Sequence, residues 1–250
     1  MGVRENLRSA LSDDRLISMV VQVQSGEIIM IQKKTTRILG IAFVLQFITS
    51  FSNGIFIKPL WLVPDNMEQT LIKIAENSGI FRLAIFLDVL TGLGVIFLGA
   101  VLFITLKSIN KYLSATAFAF YIFEGTLLAA SKLEAYKLLL LSQDFILNPE
   151  LTELLRLASY SYHSMDFVGN TLHMLAFCIG AIIFYYLLLK SAKIPKWISY
   201  WGLISLIPLL IGTITQIFSF SIPFFFYFPY VPFELFIGIW ILVKGLPESE

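Results

Sequence analysis

Cysteine occurs once in this chain, at Cys178, and charge is scarce throughout. A lone cysteine excludes a disulfide within one chain and argues against a zinc–thiolate cluster. Charged residues make up 14% of the sequence, well below the roughly one quarter typical of soluble domains. The formal net charge of +1 gives no reason to expect a nucleic acid or an acidic partner. No secretory leader is visible: residues 1–30 are polar and charged, and the first long apolar run follows Arg37, so it reads as an uncleaved anchor. Compact catalytic motifs are missing too, with no His-Glu-x-x-His pair and no recognisable setting for a Ser or Cys nucleophile.

What fills the chain instead is hydrocarbon. Hydrophobic residues reach 57%, phenylalanine alone occurs 23 times, and the mean hydropathy is +0.81. Runs of about 20 apolar residues, the length needed to cross a bilayer, lie at 38–57, 82–106, 112–134, 167–189, 197–220 and 224–244. The fold expected is therefore all-α: a polytopic membrane protein with a bundle of six transmembrane helices over residues 31–246. Pro223, Pro229 and Pro232 oppose one continuous helix through the last two runs, which places a tight turn there and a late start to the sixth span.

Lysine and arginine set the expected sidedness. Lys33, Lys34 and Arg37 precede the first span, Lys107 and Lys111 fill the second connection, Lys190, Lys193 and Lys196 the fourth, and Lys244 closes the sixth. The first and third connections carry mixed charge, including Asp65, Glu68, Asp144 and Glu150. The positive-inside rule then puts both termini in the cytoplasm of a cell-membrane protein, with the longer connections outside. Those connections are expected to hold short amphipathic helices. One is opened by the capping-box spacing Asp65-Asn-Met-Glu68 and stopped at Asn77-Ser-Gly79, the other is opened by Asn148-Pro149-Glu150, and both are expected to rest on the membrane. Residues 1–30 form a cytoplasmic extension, with a hairpin pattern over 17–32 and an alternative translation start at Met30.

Ionisable groups at membrane depth are costly and are the natural functional candidates. His163, Asp166, Asn170 and His173 fall within an arc of roughly 80° on an ideal helix. Two histidines ten residues apart are about 15 Å apart along that helix, which excludes a metal site built on it alone. Asp88 lies among small residues (Ala84, Thr91, Gly92, Gly99) on the second span, and Glu124 shares a stripe with Tyr121, Leu128 and Ser131 on the third. Glu234 follows Pro232-Phe233 in the first turn of the sixth, where the helix dipole also favours a carboxylate. Gln46, Thr49, Ser50 and Asn53 form a stripe on the first span, and Thr213, Gln216 and Ser219 one on the fifth; most such amides and hydroxyls act as interhelical glue worth about 0.6 kcal/mol. Trp197, Trp201 and Trp240 read as interface or packing aromatics.

Every polar set falls at mid-depth or in the outer half of its span. The pattern predicts a pocket opening outward, closed below by an apolar plug, with Glu124, Glu234, Asp88, His173, Asn170, Gln46 and Gln216 as its ligand-binding residues. Such a pocket would bind or move a small ligand, a cation or a proton. Six spans without an inverted repeat or a broken helix pair are few for a transporter, so transport would imply a homodimer. Two alternatives stay open. One is an intramembrane hydrolase in which His173 and the acids hold a metal that activates water. The other is a regulatory or scaffold protein with no ligand. The sequence identifies no metal or cofactor.

The order of several segments is familiar. Lys33-Lys34-Thr-Thr-Arg37-Ile-Leu-Gly40, Tyr121-Ile-Phe-Glu124-Gly125, Tyr185-Tyr-Leu-Leu-Leu-Lys-Ser191, Pro195-Lys-Trp197-Ile-Ser-Tyr-Trp201-Gly202 and Pro232-Phe-Glu234-Leu-Phe-Ile-Gly-Ile-Trp240 occur in sequence. Together they resemble a group of prokaryotic six-span membrane proteins, the domain of unknown function 4386 family, from about residue 31 to the C-terminus. The resemblance implies a six-helix membrane bundle with acids at the positions of Glu124 and Glu234. It brings no activity with it.

Overall fold

The computed structural model describes residues 37–150, 152–220 and 223–247. The N-terminal extension with its expected hairpin, and the turn residues Ser221 and Ile222, lie outside the described residues. Within them the chain is helical, as the apolar runs require, because a backbone in hydrocarbon must satisfy its own hydrogen bonds. Helix α1 runs Arg37–Trp61, α2 Met67–Glu76, α3 Ser78–Leu106, α4 Lys111–Leu147 and α5 Thr152–Ser191. Helix α6 follows over Lys196–Ile217, then a 3-10 turn at Phe224–Phe226 and α7 over Val231–Lys244. Five of these, α1, α3, α4, α5 and α6, are long and apolar enough to cross a membrane. Large apolar side chains such as Leu45, Phe86, Leu93, Phe97, Ile204 and Ile207 are half or more exposed around the bundle. In water that surface would drive association; in a bilayer it is the lipid contact. The chain is an all-α polytopic membrane protein.

The structure corrects the expected boundaries in three places. The sixth helix starts at Val231 rather than 224 and has 14 residues, about 21 Å of rise. The Phe224–Phe226 turn occupies the start of the expected span, and proline at the helix N-terminus sets the later beginning. The third helix does not stop near 134 but continues to Leu147, 37 residues in all. The fourth begins at Thr152 and runs unbroken through the residues expected to form a separate short helix, 40 residues in all. Asn148 ends α4 by donating its N–H to the carbonyls of Asp144 and Phe145, so the Asn-Pro-Glu segment is a turn and not a helix start.

Among the described residues, helix α2 stands apart from the long helices, and its cap is Asn66, whose side chain accepts from the N–H of Gln69. Asp65 instead takes a left-handed backbone conformation with φ of 57°. The apolar face of α2 is turned onto the protein. Leu71 and Ile74 are fully buried against Ala135, Leu138 and Leu139 of the α4 extension, with Trp61, Phe81, Phe145, Ala158 and Met165 completing a distal apolar cluster. Thr70 ties the segment down by donating to the carbonyl of Asn66 at 2.8 Å and accepting from the N–H of Val63 at 3.0 Å.

A second, larger cluster fills the lysine-rich end of the bundle. Leu102, Leu106, Ala117, Phe184, Leu188, Ile198, Leu206 and Ile241 are among its fully enclosed members. Where α3 crosses α4 the backbones nearly touch: a methyl added at Gly125 would lie 2.5 Å from the carbonyl oxygen of Gly92. Small residues on both helices permit that approach. Between the distal and lysine-rich clusters lies the part of the molecule where the polar residues gather.

Candidate functional site

A cavity of about 340 Å³ separates the two clusters. Its volume is in the range of small-molecule sites. Six of the seven residues singled out from sequence line it: Gln46, Asp88, Glu124, Asn170, His173 and Glu234. Gln216 does not. Its side chain is instead a partner of Tyr227, which does line the cavity. The stripe on α5 is also incomplete, since Asp166, Asn170 and His173 reach the cavity while His163 is exposed elsewhere. Phe167–Leu172 is a π-helical segment, and its wider turn changes the phase between Asp166 on one side and His173 on the other.

Helix α1 carries a second π-helical segment, Asn53–Ile57, at the other side of the cavity. Neither helix is broken, but both ladders are disrupted at the site, a feature that the apolar patterning of α1 and α5 does not reveal. π-bulges concentrate at functional sites because they re-aim side chains at some cost in helix stability. Lys58 and Asp166 face each other here at 3.9 Å. They are 35% and 42% exposed, so this end of the cavity is its rim. Asn170 joins the rim by donating to Asp166 Oδ1.

Deeper in the wall, Lys132 of α4 donates to Asp88 Oδ2 of α3 at 2.6 Å. Asn53 donates to Asp88 Oδ1 and to the carbonyl of Ala84, so this carboxylate is held from α1 and α4 at once. Lys132 is the main residue that the sequence reading did not reach. It lies in the same stripe as Glu124 and Leu128, at successive four-residue steps that share a helix face. Its position at the edge of an apolar run reads equally well as a lysine snorkelling to the interface, and that masks it.

The floor is formed by Glu124, Glu234, His173 and a layer of rings. Glu124 is 4% exposed, and among the described residues its Oε2 has no hydrogen-bond partner. Gln46 Oε1, Asn53 Oδ1 and His173 Nδ1 are in the same condition. All four residues line the cavity. Phe177 packs edge-on against Tyr230 with centroids 5.1 Å apart, and both rings face the cavity. Tyr230 shares a 2.8 Å hydrogen bond with the hydroxyl of Tyr185 beneath it. The buried hydroxyls of Tyr121, Tyr185 and Tyr230 therefore add polar atoms to a region that hydropathy alone presents as plain hydrocarbon.

Glu234 is positioned by aromatic packing at the start of α7. Its neighbour Phe233 is fully buried, packing edge-on against Tyr185 at 5.1 Å and against Trp201 at 5.5 Å. Gly202 makes room for that ring, because a methyl there would lie 2.6 Å from Phe233 Cζ. Trp201 also donates its indole N–H to the carbonyl of Pro229 at 3.3 Å, which holds the segment before α7 against α6. These tryptophans thus pack and anchor, and neither Trp197 nor Trp201 lines the cavity.

The charge balance of the lining is asymmetric. Four acids, Asp88, Glu124, Asp166 and Glu234, meet two lysines, Lys58 and Lys132. Each lysine faces an aspartate. Glu124 and Glu234 have no cation opposite them among the lining residues. No group of three or more His, Cys, Asp or Glu side chains among the described residues is placed to hold a metal ion.

Residues 38–245 match the family model described as Domain of unknown function (DUF4386), and the chain belongs to that family. No curated protein and no solved structure matches it.

Proposed function

We propose, for this member of a family without an assigned activity, that the cavity is a binding site for a small solute carrying positive charge. The protein would act as a membrane-embedded receptor or carrier rather than as an enzyme. One observation carries the reading: Glu124 presents a buried, unpartnered carboxylate oxygen to an open cavity. A charged or polar atom sequestered without a partner costs several kcal/mol in hydrocarbon, and nothing in packing requires one at that point. A ligand that supplies the missing partner accounts for it.

The lysine-rich end of the bundle, with Lys107, Lys111, Lys190, Lys193, Lys196 and Lys244, would face the cytoplasm, and the Lys58–Asp166 rim the outside. A solute would then enter from outside and stop above the apolar cluster that closes the other end. The hydrolase alternative gains no support from the side-chain arrangement, in which His173 has no pair of His, Cys, Asp or Glu partners placed to hold a metal among the described residues.

A thermal-unfolding screen of detergent-purified full-length protein tests the reading, using inorganic cations, amines and neutral solutes on wild type and on Glu124→Gln. The expected result is stabilisation of wild type by at least one positively charged compound, lost in the variant. A wild-type protein that no compound stabilises, together with unchanged biological activity of Glu124→Gln and Glu234→Gln, would leave the ligand-free scaffold as the better account.

A further inference from the structure

The chemistry of the cavity wall narrows the solute further. We infer that the ligand is a protonated primary or secondary amine with an apolar or aromatic body, its ammonium held by Glu124 and Glu234; this rests on the binding reading above. Three features of the wall point the same way.

The first is the direction of the unused hydrogen bonds. Glu124 Oε2, Gln46 Oε1 and Asn53 Oδ1 are buried without partners. The orientation of the Asn53 amide is fixed because its nitrogen donates to Asp88 and to the Ala84 carbonyl, which leaves its oxygen as an acceptor. A ligand that satisfies this set must bring several N–H or O–H donors, and an ammonium supplies two or three from one atom.

Charge is the second. Lys58 is opposite Asp166 and Lys132 on Asp88, so no lining lysine is left to face Glu124 or Glu234, and a cation facing them has to come from outside the protein. A neutral polyol would satisfy the acceptors but bring no positive charge.

Size and lining are the third. A bare metal ion needs a tight shell of oxygen or nitrogen ligands. The described residues offer no such group of three His, Cys, Asp or Glu side chains. The cavity, about 340 Å³, is far larger than one ion. Phe47, Phe51, Phe177 and Tyr230 present rings along it, and ring faces attract an alkylammonium while accepting its hydrocarbon body. A quaternary ammonium would use the rings but leave the acceptors unmet.

An isosteric series decides the matter, measured by calorimetric titration and thermal shift on the full-length protein in micelles. Phenethylamine is the probe. 2-Phenylethanol removes its charge, phenethyltrimethylammonium removes its N–H donors, and sodium and magnesium chloride remove its body. The expected outcome is affinity for phenethylamine at least about tenfold above that for either organic isostere, the scale of a hydrogen bond to a charged group. Glu124→Gln is expected to lose at least about tenfold of that affinity, with Glu234→Gln read in parallel should the first variant fold poorly. Equal binding of the three organic compounds, or phenethylamine binding indifferent to both variants, overturns the amine assignment. Stabilisation by sodium, magnesium or 2-phenylethanol alone, lost in Glu124→Gln, overturns it too while leaving a solute-binding cavity in place. Failure of every compound to bind overturns both readings.

Discussion

The ammonium of Lys132 lies 2.6 Å from Oδ2 of Asp88, joining α4 to α3 in the cavity wall. Their side chains are 12% and 23% exposed, so the pair is neither free in water nor sealed from it. A pair of this kind is worth more as an intact unit than either half alone, because removing one partner leaves an uncompensated charge. Lys132→Met is expected to lower stability by about 2 kcal/mol, between the value for an exposed pair and that for a buried one. Asp88→Asn combined with Lys132→Met should recover more than half of that loss, since the amide still accepts from Asn53. A double-mutant cycle on thermal or denaturant unfolding in micelles measures the coupling. Additive losses would mean that the ion pair contributes nothing beyond two separate side chains.

Backbone contact between α3 and α4 gives a second expectation. Gly125→Ala places a methyl 2.5 Å from the carbonyl oxygen of Gly92 and 2.8 Å from Ile96 Cγ1. A carbonyl cannot rotate away as a side chain can, so the helices must separate, at about 1–3 kcal/mol for overpacking. Glu124 is the adjacent residue and moves with them, so ligand-induced stabilisation should fall together with stability. Gly54→Ala is the control: nothing lies within 4 Å of the added methyl, and stability should stay within about 0.5 kcal/mol of wild type.

Sidedness can be read by chemical labelling. Gly54 is exposed beside the Lys58–Asp166 rim, and Lys196 is exposed at the opposite end. Cys178 is fully buried and should contribute little background. A membrane-impermeant maleimide applied to intact cells is expected to label Gly54→Cys at once and Lys196→Cys only after lysis. The reverse pattern would invert the topology and point the cavity toward the cytoplasm.

Two buried hydroxyls make opposite forecasts. Ser199 Oγ has no partner among the described residues, so Ser199→Ala should leave stability unchanged or raise it by up to about 1 kcal/mol. Tyr185 shares a 2.8 Å bond with Tyr230, and Tyr185→Phe orphans a buried group, which should cost about 1 kcal/mol. Unfolding midpoints of the two variants, measured side by side, check both signs.

The membrane fold was legible because hydropathy is a bulk property: runs near 20 residues announce their solvent whatever their neighbours do. The grouping of Asp88, Glu124, His173 and Glu234 around one cavity followed from depth, since charged groups in hydrocarbon have few places to go. What escaped was whatever depends on a single hydrogen bond or a change of helical phase. His163 shares the expected stripe but is exposed away from the cavity, and the π-helical segment Phe167–Leu172 shifts the phase between Asp166 and His173, which a 100° step through an unbroken α-helix does not show. Lys132 escaped because its partner Asp88 is 44 positions away in sequence. The length of α4 was underread because charges such as Glu134, Lys137 and Asp144 suggest an exit from lipid, which is a change of solvent and not an end of the helix.

That length has a mechanical meaning. At 1.5 Å per residue, α4 rises about 55 Å and α5 about 60 Å, roughly twice the hydrocarbon thickness of a bilayer. The surplus forms a stiff mast braced by α2 and its apolar footing. The same two rods carry Glu124 and His173 lower down. Any rocking of one rod against the other at that depth would be magnified at the tip, where an antibody fragment or a fluorophore can register it without touching the lipid.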